Sequence, residues 1–112
     1  MYKKLISIDL DGVLNEYNGN FNEKEIPQIK AGAYEFLKNL SENFRIEIFT
    51  TREKTLTQKW LKDNNLQDFV EDVTNVKNSF TSVFLDDRAI NFAGDYESAK
   101  TAIKKFIPYW KK

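Results

Sequence analysis

Two short runs of strand-forming residues end on aspartates. Leu5-Ile6-Ser7-Ile8 leads into Asp9-Leu10-Asp11-Gly12-Val13, and Ser82-Val83-Phe84-Leu85 leads into Asp86-Asp87. Near-continuous apolar runs of this length fit strands covered on both faces, the usual condition of a parallel sheet. The chain must therefore build a sheet whose strand ends carry negative charge. Carboxylates crowded into one crevice repel one another and take up protons unless a cation compensates them. The simplest compensating cation for an all-oxygen set is a hard divalent metal, magnesium first among them.

Composition narrows what else the chain can do. Its 112 residues are read as one domain, 1–112, large enough to bury roughly two-thirds of its unfolded surface. Lysine plus arginine and aspartate plus glutamate number 17 each, so net charge gives no signal for nucleic acid or an anionic membrane. There is no cysteine and no histidine. Disulfides, thiolate metal sites and the commonest general base are excluded, and acid–base work falls to carboxylates, lysine or tyrosine. Met1-Tyr2-Lys3-Lys4 passes straight into a short strand, and no apolar run approaches the ~20 residues that span a bilayer. A cytoplasmic protein without a membrane partner is expected.

Strand and helix signals alternate along the chain. Lys3–Asp9 reads as a first strand. Ala33, Tyr34, Phe36, Leu37 and Leu40 share a helical face, and Phe44–Thr50 reads as a second strand. A second helix is predicted over Arg52–Asn64, with Leu56, Trp60 and Leu61 inward. Phe69–Thr74 is a short third strand, Thr81–Asp86 a fourth and Ile90–Phe92 a small fifth. Asp95 caps a last helix, whose inner face is Tyr96, Ala99, Ala102, Ile103 and Phe106 and which Pro108 stops. This alternation predicts an α/β fold: a doubly wound, mostly parallel, Rossmann-like sheet of order about 5-4-1-2-3 with helices on both faces. The link between the third and fourth strands is too short for an ordinary crossover, which takes a dozen or more residues. Either the third strand is very short or the crossover lacks a helix.

In such a sheet ligands bind beyond the carboxyl ends of the strands, where the strand order reverses. Strands one and four flank that crevice, so the two acidic clusters face each other. Thr50 and Thr51 end the neighbouring strand at the start of a helix whose positive end favours an anion. Lys77 follows the third strand. Carboxylates, hydroxyls, helix amides and one lysine suit a magnesium-bound phosphate.

At these residues the chain resembles the haloacid dehalogenase-like hydrolase superfamily, over nearly its whole length. Asp9-Leu10-Asp11-Gly12-Val13 is similar to the first motif of that superfamily, Thr50 to the second, Lys77 to the third and Asp86-Asp87 to the fourth, in the same chain order. Response-regulator receivers mix the same residue types but place the paired acids early and the lysine last. Asp86-Asp87-Arg88-Ala89-Ile90-Asn91-Phe92 with Gly94-Asp95-Tyr96 resembles a group of small bacterial and phage members. The resemblance implies a magnesium-dependent phosphatase in which Asp9 attacks phosphorus to form an aspartyl-phosphate and Asp11 acts as general acid, then base. Magnesium would be held by the Asp9 carboxylate, the Asp11 backbone carbonyl and the acids Asp86 and Asp87, while Thr50, Thr51 and Lys77 would bind the phosphoryl group. Many members carry a second acid four residues after the main metal aspartate; here Asn91 follows Asp87 at that spacing, and Asp86 stands in. A phosphotransferase would share every motif, and a non-catalytic phosphate-binding module is the reading from another class.

Plainer roles exist for single residues. Asp9-Leu10-Asp11-Gly12 alone would also make a turn, Thr50 and Thr51 would cap the next helix, and Lys77 would be a solvated loop charge. Arg52 and Arg88 read first as surface salt-bridge partners, with holding substrate as the alternative. Lys104, Lys105, Lys111 and Lys112 suit a solvated helix end. There is no room for a cap domain; residues 15–27 make only a short flap, a hairpin turning at Asn18-Gly19 with Tyr17, Phe21 and Ile26 near the entrance. An open site admits a phosphorylated macromolecule, or a small substrate such as a sugar phosphate if a second subunit roofs it. Tyr109 and Trp110 pack on the sheet edge, with stacking on a ligand or partner as the alternative, or, with Tyr17 and Phe21, supply a homo-oligomer contact.

Overall fold

The structure is a computed structural model that describes residues 2–111. Four strands, β1 (Leu5–Asp9), β2 (Arg45–Phe49), β3 (Asp72–Thr74) and β4 (Thr81–Leu85), form one open sheet of order β3-β2-β1-β4 in which every pairing is parallel. Three helices complete the α/β fold: α1 (Ala33–Ser41), α2 (Lys54–Asp63) and α3 (Tyr96–Lys105). Single 3-10 turns stand at Gln67–Phe69 and Tyr109–Lys111. No helix is long and apolar enough to cross a membrane among the described residues.

The core follows from the central position of β1. Leu5, Ile6, Ser7 and Ile8 are all buried, because β2 and β4 flank β1 on either side and its two faces are covered. Ile46 and Ile48 of β2 and Val73 of β3 continue this layer, and Leu10, Leu14, Leu37, Leu61 and Leu66 pack onto it. Leu37 and Leu61 are the large apolar side chains that α1 and α2 bury, each contributing about 1.5–3 kcal/mol of transfer free energy. Tyr34 and Phe36, expected inward, are largely exposed; Tyr34 instead meets the edge of Phe69 at 5.4 Å.

The other end of the chain departs from expectation in three ways. Residues 90–92 form no strand, so among the described residues the sheet stops at β4. Second, α3 forms with the expected cap, the Asp95 side chain accepting from Glu97 N (3.2 Å) and Ser98 N (3.2 Å), yet it buries no residue, and Ile103 is 66% exposed. Its amphipathic pattern sufficed for helix formation but not for docking on the sheet. Third, β3 is only three residues long and no helix follows it. Seven Cα steps, reaching at most about 24 Å, join Thr74 to Thr81. The path crosses three strand spacings and four residue rises, about 20 Å. The link spends its length on bends at 75–76 and a turn in which Thr81 N donates to Asn78 O (3.0 Å), which leaves too few residues for a helix.

Residues 15–27 are a loop rather than a β-hairpin. One antiparallel bridge, Asn15 with Ile29, closes its base, with Glu16 N donating to Gln28 O (2.9 Å) and Lys30 N to Leu14 O (2.8 Å).

Candidate functional site

The register between β1 and β4 places Ile8 beside Leu85, so the next residues, Asp9 and Asp86, emerge together at the carboxyl edge. An irregularity makes this so. Leu5 pairs with Thr81 but Ile6 pairs with Val83, leaving Ser82 as an extra residue; with an unbroken register Asp9 would stand beside Leu85. Bulges of this kind re-aim side chains next to sites. The result is a trio, Asp9, Asp86 and Asp87, each offering a carboxylate oxygen within 4.8 Å of the others.

Burial, a hydrogen bond with Asp87 and the charges of Asp86, Asp87 and Asp11 push the Asp9 carboxyl from its ordinary 3.8 up to about 8. Without a cation, Asp9 therefore holds a proton at neutral pH. The folded chain keeps it up to about pH 8 and the unfolded chain releases it near pH 3.8, so the stability it confers is fully present below about pH 4 and lost as pH rises toward 8. Metal-free protein should melt at progressively lower temperature across that interval, and magnesium should raise the melting temperature more at pH 8 than at pH 5. Thermal unfolding with and without magnesium checks this; a magnesium increment that shrinks with pH would contradict it.

The oxygens of the trio fit a hard divalent cation. Asp86 Oδ1 is occupied by Arg88 N (2.9 Å) and Asp87 Oδ2 by the Trp110 indole N–H. Asp87 Oδ1 is buried without a hydrogen-bond partner among the described residues. A buried carboxylate oxygen with no donor is costly, and a cation held by Asp9, Asp86 and Asp87 would offset both that cost and the mutual repulsion.

Asp11 stands apart from the trio. Both its oxygens accept from Arg52 Nε (2.9 and 3.2 Å), and Oδ1 also accepts from Asn15 Nδ2 (3.1 Å). Any share of Asp11 in holding a cation thus falls to its backbone carbonyl. Arg52 is not a surface residue: it is 6% exposed, and its Nη1 donates to the carbonyls of Asn22 (2.7 Å) and Glu25 (3.3 Å), with Phe21 stacked 4.4 Å from the guanidinium. One arginine thereby ties Asp11 to the flap. Asn15, fully buried, completes the loop by accepting from Gly12 N (3.2 Å) and Tyr17 N (3.1 Å).

A cleft of about 350 Å³ brings Asp9, Asp11, Asp86 and Asp87 together with Thr50 and Thr51; Tyr17, Phe21 and Arg88 also line it. Thr50 is one residue past the Asp9–Phe49 pair, and its hydroxyl accepts from Arg52 N (3.1 Å). Neither threonine caps α2. Glu53 does, its carboxylate accepting from Thr55 N and Leu56 N (3.1 Å each), so these two amides of the helix start are already engaged. Lys77 is not in this cleft. It lines an adjoining recess of about 150 Å³ that shares Asp9 and Asp86, with its Nζ 5.4 Å from the Phe84 ring centre. A larger groove of about 570 Å³, between α2 and β3, contains none of these residues.

Tyr109 and Trp110, expected at a sheet edge or an inter-subunit contact, close on the site of their own chain. The Tyr109 hydroxyl donates to the Gly12 carbonyl, and Trp110 meets Tyr17 edge-on at 5.1 Å. Gly12 is obligatory for two reasons. Its φ is +85°, and a Cβ there would collide with the Asp87 carboxylate and reach 3.0 Å from Trp110 Nε1.

No family model and no curated protein matches the chain. Among solved structures it is similar to a conserved protein from Bacteroides thetaiotaomicron, with a TM-score of 0.60 and 20% identity over 93% of this chain and 92% of that one. At that identity the likeness shows a shared fold.

Proposed function

We propose that the chain is a magnesium-dependent phosphatase of the haloacid dehalogenase-like superfamily, hydrolysing a phosphomonoester through an aspartyl-phosphate. The observation that carries this reading is the carboxylate trio at the ends of adjacent parallel strands, with Asp87 Oδ1 buried without a hydrogen-bond partner among the described residues. The crevice lies between β1 and β4, where the strand order reverses, and that placement supports the reading, since open parallel sheets bind ligands at such a point.

Asp9, Asp86 and Asp87 would hold magnesium, which supplies charge neutralisation for the phosphoryl oxygens. An Asp9 oxygen attacks phosphorus while the bond to the ester oxygen breaks, and Asp11, which enters this step protonated, gives that oxygen its proton and becomes the carboxylate that faces Arg52. In the second step Asp11 takes a proton from water, the water oxygen attacks phosphorus, and the bond to Asp9 breaks to release phosphate. Thr50 and Thr51 supply hydroxyls and Thr51 a backbone N–H at the same cleft, and Lys77 shares the adjoining recess with Asp9. Arg52 sets the orientation of Asp11. The cleft volume, with Tyr17 and Phe21 on its wall, favours a small phosphate ester such as a sugar phosphate over a macromolecule.

Purified protein should release phosphate from an aryl phosphate in magnesium and stop on addition of chelator. A broad panel of phosphate esters, read by free phosphate, then ranks substrates. No activity above blank across the panel would favour a non-catalytic binding module, and transfer to an added alcohol in preference to water would favour a phosphotransferase.

A further inference from the structure

Trp110 is the point on which three separate segments of the site converge. Its indole N–H donates to Asp87 Oδ2, and its ring lies against Tyr17 of the flap. A Cβ on Gly19 would approach that ring to 3.1 Å, and one on Gly12 would approach Nε1 to 3.0 Å. Next to it Tyr109 holds the Gly12 carbonyl and lies under Lys30 Nζ at 5.3 Å. The turn Tyr109–Lys111 thus straps the loop after β1, the flap and the loop after β4.

The chemistry of the contact is specific. An indole is a neutral, donor-only group. It fixes one oxygen of a carboxylate without adding a charge that would compete with a cation, and leaves the other, Asp87 Oδ1, buried and without a hydrogen-bond partner among the described residues. Groups that hydrogen-bond a metal-binding side chain from behind orient it and tune its affinity, and their loss typically weakens metal binding 10–100-fold. We infer that Trp110 is a positioning residue for Asp87, setting the rotamer in which that carboxylate receives a divalent cation. The inference rests on the magnesium site proposed above and adds a determinant that none of the sequence motifs contains.

Trp110→Phe keeps an aromatic ring at the turn and deletes the donor, together with the benzo edge that faces Gly19. Magnesium binding, titrated by calorimetry without substrate, should weaken on the order of 10- to 100-fold, while turnover at saturating magnesium returns to within a few-fold of the parent chain. Unchanged affinity in a folded Trp110→Phe overturns the inference and leaves the phosphatase reading intact. An independent measurement needs no variant at the site. In the wild-type chain, with Trp60 assigned through Trp60→Phe, the Trp110 indole N–H resonance should shift with added magnesium while that of Trp60 stays. A Trp110 resonance indifferent to magnesium that binds overturns the inference even if Trp110→Phe fails to fold. A wild-type chain that binds no magnesium overturns the site and the inference together.

Discussion

Asp9→Asn is expected to reduce phosphate release to the uncatalysed background at every magnesium concentration. The amide lacks the attacking anion and one of the three clustered oxygens, so neither the phosphoenzyme nor turnover can form. Loss of a nucleophile of this kind costs on the order of 10⁴- to 10⁶-fold. The same change should leave the metal-free fold intact or firmer near pH 8, since it removes the carboxyl that its neighbours push up to about 8. Steady-state assays beside thermal melts separate the two effects. Retained turnover would show that Asp9 is not the nucleophile.

For Asp11→Asn the expected result depends on the leaving group. With a poor leaving group the loss should be on the order of 10²- to 10⁴-fold, as for removal of a general acid or base. An aryl phosphate whose phenolate departs unprotonated should still phosphorylate Asp9, while the water attack that follows stays impaired. Rapid mixing should then show a burst of phenol exceeding the phosphate released. The surroundings of Asp11 add a control. Its oxygens accept from Arg52 Nε and Asn15 Nδ2, so an asparagine amide would set a donor against donors and leave the buried Arg52 without its counter-charge. A drop in melting temperature should accompany the catalytic loss. Equal impairment on good and poor leaving groups would remove Asp11 from the proton-transfer role.

Much of this site was legible in the linear chain because parallel topology converts sequence position into place. A strand read at Lys3–Asp9 and another at Thr81–Asp86 put Asp9, Asp86 and Asp87 at one edge once both strands run the same way. Thr50 followed from the same logic, being the residue after β2. Lys77 was placed beside Asp9 and Asp86 but in the neighbouring recess, because the short link after β3 lays it against Phe84. Arg52 and Trp110 gave no local signal. A lone arginine after two threonines reads as a solvated cation, and only the packing of the flap above it, with partners 27 to 41 residues away, made it a buried clamp on Asp11. The apolar stripe of α3 misled in the opposite sense, since periodicity specifies a face and not what covers it.

The chain by itself determined its strands, its helices and the chemistry at their ends, because hydrophobic period, capping residues and a DxDG turn are local properties of neighbouring residues. Tertiary structure alone decided which oxygens meet. One extra residue in β4, Ser82, puts Asp86 rather than Leu85 beside Asp9. A turn at Tyr109–Lys111 places an indole donor on Asp87 from 23 residues away and a phenol on Gly12 from 97. Register and long-range closure arise from the relative placement of elements already formed, and no property of a residue's own neighbours encodes them.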